Sequence, residues 1–224
     1  MNGRFWAELW MVLALLVIVT GLLGATGADL AIASHFYRQG DWPVGTLLPW
    51  KFLYWLHWKQ ALVLSVIGLS VAVAGYFKER VRHLMRPGLF LVLFLIVGNG
   101  LVVNSLFKSH WDRPRPRDLV QFGGEREFRQ PWQPGNTARG RSFPSGHAAA
   151  AFYMMAPFFI YRWRKPATAY AWLAGGVLFG CAMSYARISQ GGHFLTDTLW
   201  SWGLLYITGL LLAELLLRQQ RLAD

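Results

Sequence analysis

Long apolar runs separated by short polar breaks set the rhythm of this chain. Six of them run from about Phe5 to Ala25, Gln60 to Phe77, Gly88 to Phe107, Gly146 to Tyr161, Thr168 to Ile188 and Leu195 to Leu217. A helix rises about 1.5 Å per residue, so about 20 mostly apolar residues cross the hydrocarbon core of a bilayer. Each run is near that length. The pattern predicts an all-α, polytopic membrane protein with six transmembrane helices in one bundle, and both chain termini on the same side. Glu8 sits early in the first run, which is longer than the apolar part of a secretion signal, so the first helix is expected to stay uncleaved.

Two polar stretches interrupt the rhythm. Asp29 to Lys59 mixes Phe36, Tyr37, Trp42, Trp50, Tyr54, Trp55 and Trp58 with scattered charges, a composition suited to an aromatic segment lying in the membrane interface. Lys108 to Phe143 is a long loop with eight Lys or Arg against four Asp or Glu, turn-rich around Pro131, Pro134, Gly135 and Gly140. No internal repeat is evident, and the chain reads as one domain, residues 1–224.

Orientation follows from the short basic loops, which tend to remain cytoplasmic. Arg4 precedes the first run; Lys78, Arg80, Arg82 and Arg86 lie between the second and third; Arg162, Arg164 and Lys165 lie between the fourth and fifth; Arg218 and Arg221 follow the sixth. Six crossings put all of these, and both termini, on the cytoplasmic face. The long loop and the turn at Gly191 and Gly192 then face outward.

Composition agrees with a membrane setting: 54% hydrophobic residues, 15% charged and a mean hydropathy of +0.31 over 224 residues. The formal charge of +11 would suggest nucleic acid in a soluble protein. Here part of it is an orientation signal, and anionic lipid head groups are the more economical partner. Cys181, in the fifth run, is the one cysteine, which excludes an intramolecular disulfide and a thiolate metal cluster.

The chemistry is concentrated in three polar islands at ends of apolar runs: Lys108 to Pro116, Pro144 to His147, and Arg187 to Asp197. Lys108 is followed after six residues by Arg115-Pro116; then comes Pro144-Ser145-Gly146-His147; then Arg187, five residues, His193, three residues, Asp197. This set, in this order and with these spacings, resembles the signature of the type 2 phosphatidic acid phosphatase superfamily of membrane lipid phosphatases. One position departs from that pattern: the third motif usually opens Ser-Arg and here reads Ala186-Arg187, which removes a hydroxyl and leaves the charged core. The resemblance implies a phosphatase that forms a phosphohistidine on His193. Asp197 would orient that histidine, and His147 would protonate the leaving group and then activate water. Lys108, Arg115, Ser145, Gly146 and Arg187 would bind the phosphate oxygens. Motifs one and two would sit in the outer-face segment 108–147, and motif three in 187–197.

The residue types are consistent with that chemistry. His193 and Asp197 are four apart at a helix start, so they share a face and the carboxylate can hold one imidazole nitrogen, although a His-Asp pair can also serve simply as a helix cap. An imidazole titrates ordinarily near pH 6.5 and suits acid and base work at His147. A Pro-Ser-Gly turn opening a helix is a natural anion site. Guanidinium and ammonium groups can neutralise a phosphoryl group in flight without a metal, and the islands lack the carboxylate cluster that would hold magnesium, so no metal and no cofactor are expected. Lys108 and Arg115 taken singly are equally compatible with head-group anchoring. Arg187, near a helix end, calls for a partner. Arg113, Arg117, Arg139 and Arg141 are expected to face solvent or tune substrate binding, with Asp112 and Asp118 pairing with them.

The substrate implied is a phosphorylated membrane lipid, with lipid A, undecaprenyl pyrophosphate, phosphatidylglycerophosphate and phosphatidic acid as candidates. The Phe122-Gly123-Gly124 and Gly191-Gly192-His193-Phe194 contexts look most similar to bacterial lipid A phosphatases. That implies the bacterial inner membrane, with the site on the periplasmic or exterior side. A lipid-to-lipid phosphotransferase needs only a different acceptor. An anion transporter would place its charges near the bilayer midplane rather than at one face, and vanadium haloperoxidases, which share a resembling site, are soluble.

Overall fold

The computed structural model describes residues 3–136 and 140–218. Helix α1 (Gly3–Ala25) and short α2 (Ala28–Phe36) are followed by a 3₁₀ turn, Pro43–Thr46, and by α3 (Leu48–Leu56) and α4 (Lys59–Phe77). A 3₁₀ stretch, Glu79–Leu84, leads into α5 (Met85–Leu93), which continues as a wider helix over Phe94–Lys108. After the long loop come α6 (Gly146–Phe152), a 3₁₀ turn Tyr153–Met155, α7 (Ala156–Tyr161), α8 (Pro166–Ser189) and α9 (Leu195–Leu216). No strand occurs among the described residues.

Five stretches are long and apolar enough to span a bilayer: Gly3–Ala25, Leu48–Phe77, Glu79–Lys108, Pro166–Ser189 and Leu195–Leu216. The sixth predicted run, Gly146 to Tyr161, is helical but differs from the others. At about 1.5 Å per residue it reaches about 24 Å and a 3₁₀ turn interrupts it, yet it carries the chain from the end that holds His147 to the opposite end, where Arg162 meets Glu8. Its apolar character has another cause, because Ala148 to Tyr153 are buried against protein. Two glycines of α8 permit this: Gly176 lies against the Met155 backbone and Gly180 against the Phe152 ring, leaving no room for a β-carbon. Such small residues are how helices approach closely where lipid supplies no hydrophobic drive.

Helix α9 is the most enclosed span, half of it buried. Its Leu204, Leu205, Tyr206 and Leu210 join Phe90, Phe94, Phe158 and Phe159 in the main apolar core. Outward-facing Met11, Val17, Ile18 and Leu22 of α1 and Val63, Ile67 and Val73 of α4 are exposed as lipid contact requires.

The aromatic segment expected at the membrane interface is only partly exposed. Phe52, Trp55 and Trp58 are exposed, but Phe36 and Trp42 are buried in a second apolar cluster with Leu119, Phe122, Ile188 and Phe194. Part of this segment is therefore packed against the long loop and the ends of α8 and α9, where the polar islands gather.

Candidate active site

The turn between α8 and α9 shapes the third island. Gly191 adopts φ +60° with the Trp42 ring against it, so the left-handed conformation and the close contact both require glycine. Its amide donates to Ile188 O at 2.9 Å and that of Gly192 to Arg187 O at 2.9 Å, which closes the end of α8. The chain re-enters helix at α9, where Asp197 Oδ2 accepts the Phe194 amide at 2.8 Å. Asp197 is thus a helix cap, one of the two readings its spacing allowed, and it is more than that. The same oxygen accepts the Ser142 hydroxyl at 2.6 Å, and Oδ1 accepts Arg113 Nη1 at 2.5 Å.

His193 is 1% exposed, and its Nδ1 lies 2.7 Å from the Ser142 carbonyl oxygen. A carbonyl can only accept, so Nδ1 carries the proton and Nε2 is left with the free lone pair. The expectation that Asp197 takes this nitrogen directly is corrected in detail: its Oδ2 stands 3.7 Å from Nδ1, at ion-pair distance, and its hydrogen bonds go to Ser142, Phe194 and Arg113. Burial pushes the imidazole pKa down to about 3, with Lys108 and Arg187 acting in the same direction and Asp197 opposing them. The ring is neutral at ordinary pH.

Arg113 departs most from the expectation that it would face solvent or tune substrate binding. It is fully buried. Nη2 donates to Asp29 Oδ2 at 2.8 Å, Nη1 to Asp197 and to Thr196 Oγ1 at 2.7 Å, and Nε to Arg129 O at 2.9 Å, with the Phe194 ring 4.4 Å from the guanidinium carbon. Asp29, from α2, also accepts the Thr196 amide at 3.0 Å and the Thr196 hydroxyl. Two carboxylates thus share one buried cation. The other expected pairings also change partner: Asp112, at φ +52°, holds Arg126 at 3.2 Å and the Gly140 amide, while Asp118 accepts the backbone amide of Arg115 at 3.2 Å. Arg117 and Arg141 are exposed as expected. Arg139 lies outside the described residues.

The remaining cations converge. Lys108, Arg115 and Arg187 are close enough to interact electrostatically, and Arg115, Arg187 and His147 line one cavity of about 350 Å³ with Thr46, Lys51 and Tyr54. The partner that the position of Arg187 called for is not a carboxylate: its Nη1 donates to Gln190 Oε1, and the guanidinium lies 4.9 Å over the Tyr54 ring. The Nε atoms of both Arg115 and Arg187 are buried with no hydrogen-bond partner. Burial, reinforced by Arg117, lowers the pKa of Arg115 from its ordinary value. Donors buried without acceptors are costly, and an anion in this cavity would satisfy them.

Ser145 caps α6 through its hydroxyl, which accepts the Ala148 amide at 3.3 Å. Its own amide, which the sequence reading offered to an anion, is bound at 2.9 Å by Ser201 Oγ of α9, and Gly146 packs against Asn104. These contacts fasten the second island to the third. His147 follows on α6, its ring 5.0 Å from Tyr54 and 4.2 Å from His57. Tyr54, His57, Asp29, Ser142 and Ser201 were not singled out as site residues. They stand in no motif with the residues they touch; the one available hint was a lone Asp29 directly after an apolar run.

A family model described as "PAP2 superfamily" matches residues 87–221. The lipid A 4'-phosphatase of Francisella tularensis subsp. novicida (strain U112) is 30% identical over 198 residues, covering 86% of this chain and 87% of that protein. That of Rhizobium leguminosarum is 32% identical over 109 residues, 48% of this chain and 46% of that one. Among solved structures, a transmembrane PAP2-type phosphatidylglycerolphosphate phosphatase from Bacillus subtilis aligns over 96% of this chain and 97% of that one, at 18% identity and a TM-score of 0.49.

Proposed function

As the chain belongs to the PAP2 superfamily, we propose that it removes a phosphate, from a monoester or a diphosphate, on a membrane lipid by way of a phosphohistidine. The observation that carries this is the Nδ1 of His193 bound to the Ser142 carbonyl, which leaves a neutral Nε2 as nucleophile within electrostatic reach of Lys108 and Arg187. Nε2 attacks phosphorus as the bond to the leaving oxygen breaks, and His147, whose pKa is held down by burial and then by Arg187 and which takes up its proton as the anionic phosphate enters, gives that oxygen its proton. The positive charge left on the phosphorylated ring is met by Asp197, 3.7 Å from Nδ1. Water, deprotonated by His147, then attacks phosphorus, phosphate departs, and Nε2 regains its lone pair. Lys108, Arg115 and Arg187 hold the equatorial oxygens throughout, and their fixed positive charge replaces a metal. Ser145 and Gly146 contribute by positioning α6 against the third island.

The Francisella and Rhizobium relatives are lipid A 4'-phosphatases by name, which makes the phosphates of lipid A the first substrate to test, with undecaprenyl pyrophosphate, phosphatidylglycerophosphate and phosphatidic acid beside it. The whole chain would work as a single phosphatase unit in the bacterial inner membrane, with the site on the non-cytoplasmic side. Phosphate release by purified protein in detergent, against that panel and with His193→Ala as control, tests the reading. Free phosphate, undiminished by EDTA, is the expected product. Loss of turnover in EDTA restored by magnesium would refute the metal-free mechanism, and a phosphorylated second lipid in place of free phosphate would make the protein a transferase.

A further inference from the structure

The site cavity holds more positive charge than one phosphate requires. Lys51, Arg115, Arg117 and Arg187 all line it, and no carboxylate does. Nor does any of the four form an ion pair with a carboxylate among the described residues. Of the nearby aspartates, Asp29 and Asp197 are committed to Arg113 and Asp112 to Arg126 and the Gly140 amide, while Asp118, which accepts the Arg115 amide, offsets part of the Arg115 charge without forming an ion pair. A phosphomonoester carries about −1.5 to −2 at neutral pH, which Lys108, Arg115 and Arg187 already balance. Lys51 and Arg117 are left over.

Both stand on elements fixed relative to the catalytic groups. Arg117 belongs to the 3₁₀ turn Pro116–Asp118, and its amide donates to Gly191 O at 3.1 Å, in the turn that precedes His193. Lys51 lies on α3. The turn before α3 is tied to the end of α8, with Gln190 Nε2 donating to Gly45 O at 3.2 Å, and Trp50, the neighbour of Lys51, packs 4.6 Å from the Tyr185 ring. Their side chains are exposed, so they meet a head group at the water-facing mouth and not at the depth of His193.

We propose that Lys51 and Arg117 form a second anion subsite at the mouth of the cavity, selecting lipids whose head group carries another anionic group besides the phosphate removed. The inference rests on the phosphatase reading above and adds a substrate class to it. General electrostatic attraction would favour all anionic lipids alike; a subsite favours those with a second charge to place.

The test uses two pairs of lipids in mixed micelles at fixed ionic strength. Diacylglycerol diphosphate and phosphatidic acid differ by an adjacent anion; bis-phosphorylated lipid A and the form keeping only the scissile phosphate differ by a distant one. For the Lys51→Gln/Arg117→Gln double variant, kcat/KM on the doubly anionic member of at least one pair should fall on the order of 10- to 100-fold, mostly through KM, as expected for lost charge-assisted hydrogen bonds. The loss on its singly phosphorylated partner should be at least tenfold smaller. The pair that responds tells where the second anion sits. Equal losses within both pairs, or none, overturn the subsite. If wild-type protein hydrolyses none of the four lipids, the phosphatase reading fails, and the subsite is judged by binding alone. Inorganic diphosphate should then raise the thermal midpoint more than phosphate does in wild type but not in the double variant; an equal rise in wild type overturns it.

Discussion

Arg113 shows what one buried side chain does here. It neutralises Asp29 from α2 and Asp197 from α9, residues 84 positions away on either side, and so locks the carboxylate beside His193. Removing one partner of a buried ion pair leaves uncompensated charge and costs about 3–5 kcal/mol. Arg113→Met should therefore lower the unfolding midpoint in detergent sharply, and Arg113→Lys should recover little of it, since a single ammonium lacks the planar fork that reaches both carboxylates. A midpoint within a degree or two of wild type would show that the network contributes nothing. His193 adds a pH dependence. Its folded pKa of about 3 lies below the ordinary 6.5, so between those values the unfolded state binds more protons and stability must fall as pH is lowered. Midpoints measured from pH 7 to pH 4 should decline more steeply for wild type than for His193→Asn. The motif residues were legible because their spacings are short and local. Arg113 and Asp29 were not, because no local pattern links an arginine in a loop to a carboxylate on a distant short helix.

At the scale of elements, apolar runs located the helices well but could not say what covers them. A buried helix and a lipid-facing one read alike, so the pattern placed the helical run Gly146 to Tyr161 correctly but not its shortness, its 3₁₀ break or its enclosure by protein. That enclosure depends on α8 glycines, and His147 rides on the helix they admit. A β-carbon at Gly180 would run into the Phe152 ring, and overpacking of this kind costs about 1–3 kcal/mol. Gly180→Val should therefore lower both stability and turnover, the second by moving α6 and with it His147. Unchanged kcat in a destabilised Gly180→Val protein would show that α6 is not what positions His147, the proposed general acid.

At the scale of the molecule, polarity is segregated end to end. The proposed catalytic groups gather where α6 and α9 begin and α8 ends, while Arg162 pairs with Glu8, and Tyr206 donates to Glu8, at the other end of the bundle. The basic short loops share that far end, which is the basis for expecting it on the cytoplasmic side. Single cysteines placed at Arg80 and at Val120 in a Cys181→Ser background should react with a membrane-impermeant maleimide from opposite sides, the first only after the membrane is opened. Labelling of both from outside would reverse or break the topology. The end-to-end separation was legible in the charge pattern, whereas the cavity that Tyr54, Lys51 and Thr46 complete depends on folding the aromatic segment back against α8, which no periodicity announces.

The most direct test of the central claim is a rapid-quench experiment with purified protein and a lipid carrying a labelled phosphate. Transient label is expected on the protein in an acid-labile, alkali-stable bond that maps to His193 and decays at the rate of phosphate release. Phosphate released at full rate with no labelled protein, together with near wild-type turnover in His193→Ala, would contradict that claim.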